Sequence, residues 1–346
     1  MSGGRILSRI EGHQMEITRM NLKNFELKSQ FSRRDFLSAA ATVAALPLAA
    51  HTQTKAPSKP SATEGKQASK ICVFSKHLQW LDYQQMARTA REIGFDGIDL
   101  TVRPGGHVEP QKVRDDLPKA VEAVRAAGLD VPTITTAVTD PTDKLTADIL
   151  ETASRAGIAF YRMGYYQYED SKGVQQTLDE AKPMLRDLVQ MNEHYKIAGT
   201  YQNHSGPRYV GACVWDLHYL LKGLDPRWVG SQFDIRHATV EGGTVWPTHF
   251  RLMSEYINTL VAKDFRWAQV KGAWQAENCP LGEGMVDFPR FFKMARQAGV
   301  TGLVCLHLEY PLGGADKGAQ RLTGDKQQVI DAMRKDLQFL RKSLAY

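Results

Sequence analysis

The chain has 346 residues, of which 42% are hydrophobic and 24% charged, a balance typical of soluble globular proteins. Its formal net charge is +6, but residues 1–50 hold seven Lys and Arg against four Asp and Glu, so half of the excess lies at the N-terminus. Lys and Arg form no clustered block and no base-stacking motif accompanies them, which argues against nucleic-acid binding.

The N-terminal region carries a pattern that predicts a targeting signal. Ser32-Arg33-Arg34-Asp35-Phe36-Leu37 leads into an apolar, Ala-rich run that ends at Ala50. The run is too short to span a bilayer comfortably and ends in small residues, as a cleavable signal does. The segment resembles a twin-arginine export signal; a membrane anchor or a buried helix is the alternative. We therefore expect residues 1–50 to be a signal region read by the Tat (twin-arginine) translocase, and the mature protein to be periplasmic or secreted, without a stable membrane span.

The next twenty residues, 51–70, are rich in Lys, Ser, Thr, Pro and Gln and lack large apolar residues. This composition predicts a disordered linker, so folded structure is expected to begin near Ile71. The four cysteines are far apart and form no C-x-x-C pair, which argues against a zinc motif and a disulfide framework. Cys72 and Cys305 lie in apolar runs and are predicted to pack inside.

From Ile71 onward, short β-rich runs alternate with segments that have the apolar spacing of amphipathic helices. The eight predicted strands are Ile71–Ser75, Gly97–Val102, Val131–Val138, Ala159–Tyr165, Gly199–His204, Val229–Ile235, Thr259–Asp264 and Gly302–Glu309. Strands separated by whole helices must pair in parallel through crossovers. Eight such units over residues 71–346 predict an α/β fold, a closed (β/α)8 TIM barrel. An open doubly wound sheet is less favoured, because no Gly-rich phosphate-binding turn follows any strand.

A TIM barrel carries its active site at the C-terminal ends of its strands, and polar residues stand at most of the predicted ends. In chain order they are His77; Asp99, Arg103 and His107; Thr135 and Thr136; Arg162 and Tyr166; Gln202 and His204; Asp234 and His237; Lys263 and Asp264; His307 and Glu309. One or two such residues would be uninformative. A ring of them predicts a polar site at this rim.

The sixth predicted strand, Val229–Ile235, is the most informative. Its alternation places Gln232 and Asp234 on one face, and His237 follows Asp234 by three residues where the strand is expected to open into a loop. A carboxylate and an imidazole converging in this way are common in metal and sugar sites. The alternative is that Asp234 pairs with Arg236 and that His237 is an ordinary loop residue.

Five segments fall in a recognisable order and spacing: Gly94-Phe-Asp-Gly-Ile-Asp-Leu100, Asp234-Ile-Arg-His237, Lys263-Asp264, Pro280-Leu-Gly-Glu-Gly284 and Leu308-Glu309-Tyr310. Through them the chain, from about Ile71 to its C-terminus, resembles the sugar phosphate isomerase/epimerase family with a xylose isomerase-like barrel. The resemblance implies a carbohydrate substrate and a divalent metal such as Mn²⁺ or Mg²⁺. It also implies metal ligands from strands five to eight: Glu, Asp, His and Glu. By position it assigns Asp234 and Glu309 to the metal and His237 to the substrate side.

Two positions depart from that pattern. Gln202 occupies the position of the strand-five glutamate and Val261 that of the strand-seven histidine. A valine ligates nothing, and a glutamine offers a carbonyl oxygen but takes up no proton at neutral pH. His204, on the same strand face as Gln202, is predicted to complete the metal ligands with Asp234, Glu309 and Gln202. The alternative is a pocket that has lost its metal and binds sugar through hydrogen bonds alone.

The predicted catalytic residues are Glu309, His237, Lys263 and His107. Lys263 is expected to point inward and either to polarise a substrate oxygen or to pair with Asp234 or Glu309. His107, in the Gly-rich loop that begins at Arg103, is either an acid/base or merely exposed. His307 is expected to support the ligands from behind.

The predicted substrate-binding residues are Gln202, Arg236, Tyr166 and Trp246. The two aromatic rings, with those of Tyr165 and Trp267, are candidates for stacking on a sugar, although aromatic residues at strand ends more often pack against neighbours.

Two function classes follow. The first is an enzyme that removes a proton next to a carbonyl of a sugar or cyclitol, giving isomerisation, epimerisation or, by elimination, a lyase reaction. Action as a lyase or hydrolase on an oxidised (keto) glycoside suits an exported protein. The second is a metal-free carbohydrate-binding barrel. The substrate, the metal and the oligomeric state, including a homo-oligomer, are left open by the sequence.

Overall fold

Eight parallel strands close into a barrel in the computed structural model, which describes residues 69–345. The barrel strands are β1 (Lys70–Phe74), β2 (Gly97–Thr101), β3 (Asp130–Thr135), β4 (Phe160–Arg162), β5 (Ala198–Gln202), β6 (Val229–Asp234), β7 (Ile257–Ala262) and β10 (Leu303–Leu306). Each pairs with its neighbours in chain order, and β10 pairs with β1 to close the ring. The predicted (β/α)8 barrel is confirmed.

Nine α-helices are present in the described part of the chain. They are α1 (Tyr83–Ile93), α2 (Val113–Ala126), α3 (Lys144–Arg155), α4 (Val174–Tyr195), α5 (Val214–Leu221), α6 (Ile235–Gly242), α7 (Trp246–Met253), α8 (Phe288–Gln297) and α9 (Lys326–Ala345). Consecutive helices α1 to α5 contact one another, and α9 contacts both α8 and α1, so helices follow one another around the barrel.

The predicted helical faces are buried. Met86, Ala90 and Ile93 of α1 belong to the main apolar core, and Tyr83 packs on it while partly exposed. The corresponding residues of α2, α4 and α9 are also buried: Leu117, Val121 and Val124; Leu178, Ala181, Leu185 and Leu188; Val329, Met333, Leu337 and Leu340. Apolar burial of this extent is the main stabilising contribution to such a fold.

A separate small cluster joins Cys72, Val261, Leu303 and Cys305, all buried, from β1, β7 and β10. Cys72 and Cys305 are buried free thiols, as the sequence predicted. Because Val261 lies in this cluster and side chains alternate along a strand, Lys263 faces the same side as Val261, one residue pair nearer the C-terminal rim.

Several strands were predicted to extend further towards the C-terminus than they do. β4 ends at Arg162, not Tyr165, and β10 ends at Leu306, not Glu309. Ile235, predicted as the end of the sixth strand, instead begins α6. The expected loop around His237 was therefore wrong: Asp234 caps the helix by accepting a hydrogen bond from His237 N, as short acidic residues do at helix starts.

One element was not predicted. β8 (Asp264–Val270) and β9 (Ala273–Cys279) form an antiparallel hairpin outside the barrel. Its two-residue turn is Lys271-Gly272, and both residues have positive φ, 50° and 82°, as a type I′ hairpin turn requires. Asp264, predicted to end a barrel strand, belongs to this hairpin.

The predicted signal region, residues 1–50, lies outside the described residues. The predicted linker, residues 51–70, does too except for its last two residues, and β1 begins at Lys70. Among the helices described, none combines the length and apolarity that crossing a bilayer requires.

Candidate active site

Asp234 sits at the C-terminal end of β6 and is fully buried. The backbone of Asp234 is clamped by Asn203, which lies just past the end of β5. Asn203 Nδ2 donates to Asp234 O at 3.0 Å, and Asp234 N donates to Asn203 Oδ1 at 2.8 Å. The carboxylate itself accepts from His237 N at 3.0 Å. Asn203 thus holds the backbone of Asp234, and His237 N holds its carboxylate.

Lys263 follows β7 and projects into the centre of the same rim. Its Nζ lies 3.1 Å from Asp234 Oδ2, 3.1 Å from Glu309 Oε2 and 2.6 Å from His237 Nε2. The lysine side chain is only 2% exposed. One amine therefore joins the ends of β6, β7 and β10 and pairs with both carboxylates.

Glu309 lies three residues past the end of β10, and 22% of its side chain is exposed. Its second oxygen, Oε1, lies 3.0 Å from Lys76 Nζ. Burial alone would raise the pKa of Glu309, but Lys263 and Lys76 outweigh it and hold the pKa well below its usual range. Glu309 is consequently ionised at neutral pH while still reachable from solvent.

Gln202 ends β5 and is nearly fully buried. Its Nε2 donates to Asp234 Oδ2 at 2.7 Å. Its Oε1 accepts from Arg162 NH1 at 2.7 Å and from the Tyr165 hydroxyl at 2.5 Å. The Arg162 guanidinium also packs over the rings of Phe74 and Tyr165, at 5.5 and 5.4 Å. These contacts fix which end of the amide faces Asp234.

His237, in the first turn of α6, is buried. Its Nδ1 lies 3.0 Å from Ser205 N and 3.1 Å from Arg236 NH1, opposite the Nε2 atom that meets Lys263. Burial, followed by the nearby Lys263, lowers the pKa of His237 well below its ordinary value, so the ring is neutral at neutral pH. His204 stacks against it with ring centroids 4.1 Å apart, and His204 Nδ1 lies 2.9 Å from Ser205 O. Burial lowers the pKa of His204 to about 4.

Arg236 links this site to the hairpin. One guanidinium nitrogen donates to Ser205 Oγ at 2.7 Å and the other to Ala276 O of β9 at 3.0 Å. The guanidinium also lies over the ring of Phe265. The structure thus places Arg236, predicted to bind substrate, between the barrel rim and the hairpin, and it does not pair with Asp234.

Asp264 holds the loop that follows β9. Its two carboxylate oxygens accept hydrogen bonds from four backbone N–H groups, those of residues 265, 282, 284 and 286. Two of the sequence segments that carried the family resemblance, Lys263-Asp264 and Pro280–Gly284, are therefore joined in space. Asp264 has a structural role here, whereas its neighbour Lys263 points into the site.

A polar layer lies beneath the site. Asp99 Oδ1 accepts from Thr135 Oγ1 at 2.8 Å, and burial raises the pKa of Asp99 to about 6. His307 stacks on Phe74 with ring centroids 4.5 Å apart, and its Nδ1 lies 4.0 Å from Glu309 Oε1. His307 thus lies behind Glu309, where the sequence placed it.

Three predicted site residues lie away from the Lys263 contacts. His107 Nδ1 is 3.3 Å from Thr101 Oγ1, and burial lowers the pKa of His107 to about 4. The Tyr166 hydroxyl donates to Thr139 O at 2.9 Å. Trp246, 5% exposed, starts α7 and packs against Phe291 and Arg290 of α8. The structure brings none of the three into contact with Glu309, Lys263 or Asp234.

Other residues of the site were missed. Lys76, Asn203 and Ser205 contact the predicted residues directly, and Tyr165, considered only for stacking, hydrogen-bonds Gln202. The sequence carried a signal for Lys76 and Ser205, because both follow strand ends. Asn203 was passed over because its side chain was assigned to the outer face of a longer predicted strand.

The four predicted metal ligands, Asp234, Glu309, Gln202 and His204, do not surround a common point. Lys263 Nζ stands between the two carboxylates, and Gln202 turns a donor, not its carbonyl oxygen, towards Asp234. Within residues 69–345, no group of three or more His, Cys, Asp or Glu side chains is arranged to hold a metal ion. This donor arrangement does not fit the divalent metal that the family resemblance implies.

A family model described as xylose isomerase-like TIM barrel matches residues 87–343. Among curated proteins, no sequence matches this chain.

Several solved structures share the fold. D-allulose 3-epimerase from Methylomonas sp. is 13% identical, with a TM-score of 0.60 over 80% of this chain and 98% of that one. For 3-keto-D-glucoside 4-epimerase from E. coli the identity is 16% and the TM-score 0.58, over 79% and 99%. For D-psicose 3-epimerase from Clostridium cellulolyticum H10 the values are 13% and 0.59, over 80% and 99%. At these identities the likeness establishes the fold.

Proposed function

The chain belongs to the xylose isomerase-like TIM barrel family, and from this premise we propose that it is an isomerase or epimerase of sugars or cyclitols. The proposed reaction begins with removal of a proton from the carbon next to a carbonyl. The observation that carries the proposal is Glu309: an ionised, partly exposed carboxylate at the C-terminal rim, beside Lys263. Structures of sugar epimerases with the same fold support the substrate class.

In this mechanism Glu309 is the base. Two lysines lower its pKa, which keeps it ionised but weakens it as a base. A substrate carbonyl oxygen can take the place of Glu309 Oε2 as the partner of Lys263 Nζ, and this has two effects. The carboxylate loses one of its lysine contacts and becomes a stronger base, while the lysine stabilises the negative charge that develops on the substrate oxygen.

The other residues position these two groups. Asp234 and His237 hold Lys263 Nζ from the inner side, at 3.1 and 2.6 Å, and Gln202 holds Asp234. Because Gln202 is not a base and Asp234 is fully buried, Glu309 is the one carboxylate of this group open to substrate. Tyr165, whose hydroxyl contacts Gln202 at the same rim, is the candidate donor for returning the proton.

A site with one carboxylate accessible to substrate also favours a second candidate function. An elimination needs one base and a leaving group, so a lyase acting on a keto glycoside fits the same geometry. We further propose that the protein is exported through the twin-arginine pathway. Outside the cytoplasm, keto glycosides rather than phosphorylated sugars would be available to it. A metal-free carbohydrate-binding barrel is the non-catalytic alternative, and it predicts binding without proton exchange.

The test is exchange of substrate hydrogen with solvent. The protein is incubated in ²H₂O with D-allulose, D-fructose, D-tagatose, L-ribulose or 3-keto-D-glucosides, and NMR follows deuterium entering the carbons next to the carbonyl. We expect exchange with at least one of these sugars, or release of a leaving group from a glycoside. Glu309→Gln should lower the rate by about 10²- to 10⁴-fold, the usual contribution of a general base, while largely sparing substrate binding.

The matched control is Glu283→Gln, which removes a surface carboxylate paired with Lys335 and should leave exchange unchanged. Binding of a sugar by the wild-type protein with neither exchange nor cleavage would favour the carbohydrate-binding alternative. Near wild-type exchange by Glu309→Gln would remove Glu309 from the role of base.

A further inference from the structure

The acidic groups of the site are already neutralised by lysines. Lys263 Nζ lies 3.1 Å from an oxygen of Asp234 and 3.1 Å from an oxygen of Glu309, and Lys76 Nζ lies 3.0 Å from the other oxygen of Glu309. Two carboxylates therefore face two ammonium groups. A buried charge is stable only when it is paired and hydrogen-bonded, and here the pairing is complete without any further cation.

A divalent cation between these carboxylates would need the volume that Lys263 Nζ occupies. Ca²⁺, Mg²⁺ and Mn²⁺ bind oxygen donors at about 2.0–2.6 Å, whereas both carboxylate oxygens are spaced for N–H···O contacts with one nitrogen. Since only 2% of the lysine side chain is exposed, it has no route to swing out into solvent without disturbing His237 and Asp234.

The remaining donors point the wrong way for a cation. Gln202 presents Nε2 to Asp234 Oδ2, and its carbonyl oxygen is taken by Arg162 and Tyr165. Reversing this amide would set its oxygen against a carboxylate and its NH₂ group against a guanidinium. Val261, one residue pair below Lys263, packs with Cys72 and Cys305 and supplies no ligand.

We propose that Lys263 is the resident cation of this site and stands in place of a divalent metal. It pairs with both carboxylates, keeps the site closed to metal ions and provides the positive charge that a substrate oxygen meets. The part of this inference that concerns substrate rests on the proposed function. The part that concerns metal exclusion does not, because it can be measured on the protein alone.

The test is a titration with MnCl₂, MgCl₂ and CaCl₂, read by calorimetry and by the shift in Tm, after treatment of the wild-type protein with EDTA. We expect no saturable heat and no shift in Tm beyond scatter. We expect the same of Gln202→Glu, which adds a carboxylate but keeps Lys263. The double variant Gln202→Glu, Lys263→Met differs from that control only at Lys263 and should gain saturable, one-to-one Mn²⁺ binding.

Stoichiometric metal in the wild-type protein as purified, or saturable binding by the wild type or by Gln202→Glu, would overturn the proposal. Circular dichroism checks that each variant is folded, and the wild-type titration decides the question even where the double variant does not fold.

An activity measurement separates this inference from the proposed function. If exchange or cleavage of a keto sugar is found, EDTA should leave its rate unchanged and Lys263→Met should lower it by about 10²- to 10³-fold, as for loss of one oxyanion-stabilising group. Loss of rate in EDTA with recovery in Mn²⁺ would refute the role of Lys263 as the cation. Absence of any turnover would count against the proposed function and would leave the metal titration standing.

Discussion

Gln202 Nε2 donates a hydrogen bond of 2.7 Å to Asp234 Oδ2. The contact is buried, and the opposite end of the amide accepts from Arg162 and Tyr165. A neutral amide at this position therefore bridges a cation on one side and an anion on the other. A carboxylate in its place would suit only one of the two sides.

This geometry predicts the effect of Gln202→Glu. The new carboxyl can keep its contact with Arg162, but its other oxygen must be protonated to donate to Asp234, so its pKa in the folded state should be raised. A carboxyl whose pKa is raised in the folded state stabilises the protein fully at pH values below its unfolded-state pKa. This contribution is lost as the pH rises through its folded-state pKa. We expect the free energy of unfolding of the variant, relative to wild type, to fall between pH 5 and 8, measured by urea denaturation. Activity should be altered but not abolished.

The control for that variant is Gln269→Glu, in the exposed part of the hairpin, which should show no such pH dependence. Parallel unfolding curves for Gln202→Glu and wild type across this range would contradict the bridging arrangement.

Lys263 and Asp234 should be strongly coupled. Lys263→Met leaves two neighbouring carboxylates without their shared cation, and breaking a buried pair in this way costs about 3–5 kcal/mol. Asp234→Asn in the same chain should recover part of that loss, giving a coupling energy in a double-mutant cycle measured by urea denaturation. Additivity within about 0.5 kcal/mol would show that the two groups do not interact. The exposed pair Lys335–Glu283 supplies the control cycle, in which solvent screening should leave a much smaller coupling.

Asp336 of α9 predicts a second pH dependence of stability. It accepts from the Tyr310 hydroxyl at 3.0 Å and from Leu281 N at 3.2 Å, and burial raises its pKa from 3.8 to about 7. The folded state thus binds this proton more tightly than the unfolded state. Stability should fall as pH rises from about 4 to 7, by at most about 1.4 kcal/mol per unit from this group.

Asp336→Asn can accept from Leu281 N through its oxygen and donate from its NH₂ group to the Tyr310 hydroxyl oxygen, as a protonated carboxyl can. It should therefore remove this part of the pH dependence, so that the variant is more stable than wild type at pH 8. Asp331→Asn, on the exposed face of the same helix, is the matched control. An unchanged pH profile in Asp336→Asn would mean that the carboxyl titrates normally.

The proposed export signal makes a prediction of its own. Replacing Arg33 and Arg34 by Lys should leave full-length precursor in the cytoplasm, since the twin-arginine pair is the feature that the translocase reads. Cell fractionation and immunoblotting measure this. Normal processing of the variant, or loss of processing when only the general secretion pathway is blocked, would contradict it.

The sequence predicted the architecture because each strand and helix face has its own periodicity. The inward direction of Lys263 followed from that alternation. What Lys263 touches did not follow, because its partners Asp234 and Glu309 lie 29 and 46 residues away and their distances depend on how the barrel closes. Lys76 was missed for the same reason: its partner is 233 residues away.

The hairpin β8–β9 could have been predicted in part. Its Lys271-Gly272 turn is a recognisable signal, but its strands are largely exposed and lack the apolar run of a barrel strand. Trp246 shows the opposite case. It was predicted to bind substrate, yet it follows α6 and begins α7, which directs it towards α8, and only the helix packing decides this.

The reciprocal pair between Asn203 and the backbone of Asp234 has a consequence for redesign. The amide side chain acts as one extra rung of the β5–β6 ladder, so the backbone of Asp234 is held independently of the side chains, Lys263 and Gln202, that its carboxylate contacts. Gln202 and Lys263 can therefore each be substituted while the pairing of Asn203 with the Asp234 backbone stays in register. The rim can accept new side chains at these two positions without a change in the barrel strands that support them.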